Sequence, residues 1–199
     1  IRAAATLTIE AGVTVQCHPR GAKYVCLDVD GGSLVITGSA ALPTVLKPVS
    51  EYSGGWGVRA KAYEILDING AVFDGFAQTA VSMHWGKGTC RVTNSAFTEV
   101  TYAIQTSRNP NGCTISGNEF KNISSDGVLA TDQATVIERN DFNRVRGEAI
   151  DMRSPAGGSV IRDNIIHHST NKYSDAIVVE YPQADLTIVN NTIADNQTH

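Results

Sequence analysis

Six apolar residues recur down this chain at nearly constant spacing, and that period limits its fold more than any other feature. Phe73, Phe97, Phe120, Phe142, Ile166 and Ile193 lie 24, 23, 22, 24 and 27 residues apart. Five residues before them stand Ile68, Val92, Ile115, Ile137, Ile161 and Ile188, and seven before them Leu66, Cys90, Cys113, Thr135, Ser159 and Leu186. An offset of two between inward positions is strand periodicity, and its return in every repeat means that the strands stack in register. A fixed period of this size points to a solenoid, in which each repeat buries its apolar face against the next.

A second strand follows each aromatic position after a short polar turn, at 80–84, 103–107, 127–131, 149–153 and 176–180. Alternation turns Val81, Ile104, Val128, Ile150 and Ile177 inward. It leaves two outward columns, one of Ser82, Gln105, Leu129, Asp151 and Val178, the other of His84, Ser107, Thr131, Arg153 and Glu180. Two residues before the aromatic column stand Asn118, Asn140, Asn164 and Asn191. Stacked asparagines can hydrogen-bond along the axis, and asparagine tolerates the left-handed backbone of a tight turn, so a structural ladder is expected there. The register extends upstream through Leu7-Thr8-Ile9 and Leu34-Val35-Ile36, with a longer excursion over 38–64. The expected fold is all-β, a right-handed parallel β-helix of about eight coils, on the order of 38 Å long at the spacing of stacked strands. Residues 1–199 read as one such domain, a fragment of a longer chain.

Composition agrees. Hydrophobic residues make up 42% of the chain and charged residues 18%, without a long amphipathic helical pattern. The net charge of −4 comes with no basic stripe, which argues against a nucleic-acid partner. No stretch approaches the roughly 20 apolar residues of a membrane span. No amphipathic helix caps either end, so further sequence, an adjoining domain, another subunit or end-to-end self-association is expected to cover the terminal coils.

Residues 66–195 resemble the parallel β-helix repeats of the pectate lyase-like superfamily. The segments 7–15 and 32–38 resemble the opening coils of large secreted bacterial β-helix proteins. The resemblance implies an extracellular or cell-surface location and an extended polysaccharide bound on the outer face of one sheet. It directs attention to His84, Lys87 and Arg108 as catalytic candidates on adjacent coils, since a lyase acting on uronic acids needs a base for the C5 proton and a cation for the developing carboxylate charge. Trp85, Asp126, Asp151, Arg153, Glu180 and Tyr181 are the matching substrate-binding candidates. Arg108-Asn109-Pro110 is similar to the start of the pectate lyase R-x-P-x-x-R motif, with Cys113 at the place of the closing arginine. Asp126-Gly127 is similar to part of the mannuronan epimerase Asp-Gly-His pattern, with Val128 at the place of the histidine.

Several smaller expectations follow. Asp126, Glu148 and Asp175 each precede the small residue that opens a second strand, and should form an exposed row on consecutive coils; no cofactor is required, and Ca²⁺ is the one ion such a row could hold. Arg153 and Glu180 should form a surface ion pair. Cys90 and Cys113 share an inward column, where parallel Cβ vectors favour packed thiols over a disulfide. Cys17 and Cys26 bracket a turn at 18–21 and suit a loop-closing disulfide better, whereas Cys17, His18 and Cys26 lack a fourth metal ligand. Asn122-Ile123-Ser124 and Asn196-Gln197-Thr198 fit the glycosylation pattern. The function expected is a module that binds polysaccharide or serves as an adhesive or structural spacer, with a lyase of acidic glycans as the alternative. Leu129, Val178, Ser107 and Thr131, standing where an enzyme would place ligands, favour the module.

Overall fold

From Ile65 onward each coil turns three corners, and at each of them stands a residue in the left-handed region. The computed structural model describes residues 1–18, 24–49, 55–169, 171 and 173–197. Among them the strands form three parallel sheets, two of eight strands and one of seven, with successive strands dealt to the three sheets in turn. That makes seven complete coils and a further two-stranded one, close to the eight expected. The first sheet carries the columns of Ile68 and Leu66, the second that of Phe73, and the third comprises Val25–Asp30, Trp56–Lys61, Thr79–His84, Tyr102–Ser107, Val128–Thr131, Ile150–Arg153 and Ile177–Glu180. The excursion over 38–64 is itself a coil, since it holds the strands Thr44–Pro48 and Trp56–Lys61.

Register follows the sequence period throughout. Val92 pairs with Ile68 and Ile115, and Phe120 with Phe97 and Phe142. The four phenylalanines are fully buried and stack nearly parallel, with ring centroids 5.1, 5.1 and 4.4 Å apart. Ile188 and Ile193 keep their columns in the last described coil but are about half exposed, because no coil among the described residues lies over them.

The asparagine ladder forms, and it does more than bond side chain to side chain. The Nδ2 of Asn118 donates to Oδ1 of Asn140 at 3.0 Å and to the Val92 carbonyl at 2.9 Å. Asn140 repeats the pattern on Asn164 and Ile115, and Asn164 on Asn191 and Ile137. Each Oδ1 also accepts the backbone N–H of the asparagine one coil before. The column runs two coils further upstream through Ser95, whose N–H reaches Asn118 and whose hydroxyl accepts the N–H of Ala71. The left-handed residue at this corner is not the ladder asparagine, as the sequence suggested, but the one before it: Asn94, Gly117, Arg139, Asp163 and Asn190. The two tasks are separate because the ladder side chain must point inward, where all four described members from Asn118 to Asn191 find partners.

Two disulfides form, one within the first coil and one between adjacent coils. Cys17–Cys26 forms as expected; of the turn it brackets, residues 19–21 lie outside the described residues. Cys90–Cys113 corrects the expectation of packed thiols. Their Cα atoms are 4.7 Å apart. The ladder between these two strands begins one residue later, at Arg91 and Thr114, so the cysteines stand beside it, where Cβ vectors are free to turn toward each other.

Candidate functional site

The outer face of the third sheet collects most of the chemistry. One column there runs Asp28, Arg59, Ser82, Gln105, Leu129, Asp151, Val178, and its neighbour Asp30, Lys61, His84, Ser107, Thr131, Arg153, Glu180. The strands pair in register from coil to coil, so these columns run along the solenoid axis. The corner that follows carries a third column, Ala62, Trp85, Arg108, Asp132, Ser154 and Tyr181, all left-handed with φ between 47° and 57°. A non-glycine residue in that region costs of order 1 kcal/mol or more. Here Ala62, Trp85, Arg108, Asp132 and Ser154 each donate the N–H to a carbonyl of the next coil, as Trp85 does to Ser107 and Ser154 to Glu180, which offsets that cost.

His84 lines a shallow hollow of roughly 290 Å³ together with Gln105, Ser107, Arg108, Leu129 and Asp132. Its Nδ1 lies 2.7 Å from the Ser107 hydroxyl and its Nε2 2.9 Å from that of Ser82. Burial, then the cations of Lys61 and Arg108, hold its pKa below the usual histidine range, so the ring is neutral at neutral pH. Arg108 donates to Asp132 at 3.2 Å. Lys87 does not line this hollow; its backbone N–H bonds the Tyr63 carbonyl two residues beyond the corner. His84 and Arg108 are therefore brought together, and Lys87 is not part of their hollow.

Two coils on, the carboxylates of Asp126, Glu148 and Asp151 converge, with one oxygen of each within 4.8 Å of the others. This corrects the expected row. Asp175 is exposed, and Asp126 is buried rather than exposed, while Asp151 enters from the neighbouring column. Burial, a hydrogen bond shared with Glu148 and the charges of Glu148 and Asp151 push Asp126 up to about 6. Arg153 grips Oδ2 of Asp151 with Nε at 3.0 Å and Nη2 at 2.7 Å, and reaches Glu180 only at 3.7 Å. The expected Arg153–Glu180 pair is thus the weaker arm of a contact centred on Asp151. A second hollow, of about 270 Å³, opens on the same sheet near Tyr24, Trp56, Arg59 and Gln78. Arg59 stands 5.3 Å over the Trp56 ring and forms a bidentate pair with Asp28. A larger hollow, about 530 Å³, lies elsewhere, over the first sheet. Its walls are glycines, backbone and the Cys90–Cys113 disulfide, with Arg91 its one charged side chain, so it offers little to hold a ligand.

Of the residues expected to act, His84, Arg153 and Glu180 share one column, Asp151 stands in the next, Asp126 precedes the strand, and Trp85, Arg108 and Tyr181 occupy the corner. Sequence reasoning passed over Lys61, Arg59 and Trp56, because the strands that carry them follow stretches of irregular length that blur the period.

Three parallel sheets wound coil upon coil, with an inward ladder at one corner, define a right-handed parallel β-helix. Residues 102–199 match the model of the family described as right handed beta helix region. No curated protein and no solved structure matches the chain.

Proposed function

We propose that the chain is an extracellular or cell-surface module that binds an extended polysaccharide along the outer face of its third sheet. One observation carries this reading: Trp85 and Tyr181, 52% and 75% exposed, stand on the same corner column four coils apart. That is about 19 Å at the coil spacing, and the polar column of His84, Ser107, Thr131, Arg153 and Glu180 runs between them. Aromatic faces stack on the C–H face of a sugar ring, and hydroxyl, imidazole and guanidinium groups bond its hydroxyls and carboxylates. Two disulfides support an oxidising compartment. Binding is favoured over β-elimination because Lys87 stands outside the hollow shared by His84 and Arg108, and Arg108 is already engaged by Asp132.

Affinity electrophoresis against alginate, pectate, a glycosaminoglycan and a neutral glucan tests the proposal. Retardation by at least one of them is expected, weakened tenfold or more in Trp85→Ala and Tyr181→Ala at unchanged melting temperature, with no absorbance from an unsaturated product. Absence of retardation, or retardation indifferent to both substitutions, overturns it.

A further inference from the structure

We propose that Asp126, Glu148 and Asp151 form a Ca²⁺ site on the outer face of the solenoid. The inference stands on their geometry and does not depend on glycan binding. Two oxygens bound to one Ca²⁺ at about 2.4 Å are at most about 4.8 Å apart, and that is the distance within which one oxygen from each of the three carboxylates lies. Oxygens that close can meet one ion after small side-chain shifts, with the backbone where it is.

The independent sign is Asp151. It is 1% exposed, Arg153 occupies its Oδ2, and its Oδ1 has no hydrogen-bond partner. A buried, unpaired carboxylate oxygen is costly unless something binds it. Since Arg153 holds the other oxygen, Oδ1 is the atom of Asp151 left to meet Asp126 and Glu148. Around it, three carboxylates face one guanidinium, which leaves two negative charges uncompensated in a half-enclosed place; Glu180, also near Arg153, adds to the excess. A divalent cation matches that excess.

The chain keeps the place open. A Cβ at Gly147 would stand 2.2 Å from Oδ1 of Asp126, so only glycine there leaves the carboxyl its position. The Glu148 N–H holds the same oxygen at 3.3 Å. An all-oxygen donor set selects a hard cation, and Ca²⁺ over Mg²⁺ because it accepts an irregular shell completed by water, whereas Mg²⁺ demands near-octahedral order. Three carboxylates completed by water place the affinity at the weak end, with Kd on the order of 10⁻⁴ to 10⁻³ M.

Isothermal titration of the chelator-treated chain with CaCl₂, with thermal melts alongside, decides the matter. One equivalent of Ca²⁺ is expected to bind, Mg²⁺ at least tenfold more weakly, and 10 mM Ca²⁺ to raise the melting temperature. Glu148→Gln and Asp151→Asn are each expected to weaken Ca²⁺ at least tenfold. Glu148→Gln, which removes a repulsive charge from a partly exposed position, is expected to melt no lower than the parent without Ca²⁺, so that its loss of binding is not a loss of fold. Absence of both heat and melting shift in the parent chain overturns the site, and so does unaltered Ca²⁺ affinity in Glu148→Gln.

Discussion

The side-chain oxygen of Asn140 accepts two hydrogen bonds from Asn118, one from its backbone N–H at 2.9 Å and one from its amide at 3.0 Å, so one residue secures its neighbour's backbone and side chain together. Asn140 also donates to Ile115 and Asn164. Replacing it with alanine leaves the Asn118 N–H and one of the two N–H groups of the Asn118 amide unpaired in a buried corner, and takes a donor from the Ile115 carbonyl. With each orphaned group costing about 1–3 kcal/mol, Asn140→Ala is expected to destabilise the chain by about 3 kcal/mol or more in urea unfolding. A loss below about 1 kcal/mol would show that water takes over the ladder's role.

Ile115 is fully buried between Val92 and Ile137. Ile115→Asp places a charge there with no partner and is expected to cost several kcal/mol, about 4 or more. Circular dichroism melts compare the two chains; coincident curves would contradict the inward column.

The two disulfides close loops of different length, with sequence separations of 9 and 23. Chain entropy assigns about 3.5 kcal/mol to the longer closure and about 2.5 kcal/mol to the shorter. Cys90→Ser with Cys113→Ser is therefore expected to cost slightly more than Cys17→Ser with Cys26→Ser in denaturant unfolding. Thiol titration of the unreduced parent chain should find no free thiol. Two reactive thiols that alkylate in the native state would argue against the Cys90–Cys113 bond.

Glu138 makes stability depend on pH. Burial pushes its pKa up, but the hydrogen bond from Arg162 at 2.7 Å and the charges of Arg139 and Arg162 outweigh it and hold the carboxyl below the ordinary glutamate range. Because the folded value lies below the unfolded one, about 4.3, the stabilisation is fully present above that unfolded value and is lost as pH falls toward and through the folded one. Urea unfolding from pH 7 down to about pH 3 should therefore show the parent chain losing more stability than Glu138→Gln over the acid limb. Parallel curves would mean that the three side chains act as a solvated surface group.

How far the fold was legible depended on the constancy of the period. From Leu66 onward, offsets of five and seven residues before Phe73 and its successors are kept in every coil, so two strands per coil and their registers could be read directly. Upstream, where the turns lengthen, Val25–Asp30 and Trp56–Lys61 were missed, and with them Arg59 and Lys61. The ladder was legible as a column of asparagines; Ser95 was not, because a serine hydroxyl takes over the place of the side-chain oxygen without sharing its residue type. The carboxylates show the limit of column counting. Asp126 and Glu148 align in sequence, but Asp151 joins them from three positions further along the same coil as Glu148, and proximity across columns carries no period. Cys90–Cys113 escaped for a related reason, since it depends on where the backbone ladder starts rather than on which column the residues share.

The left-handed corners carry a further consequence. Trp85, Arg108, Asp132, Ser154 and Tyr181 adopt one backbone shape with five different side chains, and the first four tie it to the next coil through the backbone N–H. Backbone shape and side-chain identity are decoupled there. A ridge built this way can be rewritten one rung at a time, ring for charge or charge for hydroxyl, while the stacked interior stays unchanged. The corner acts as an alphabet printed on a fixed spool, and what the spool recognises can drift without its ever having to refold.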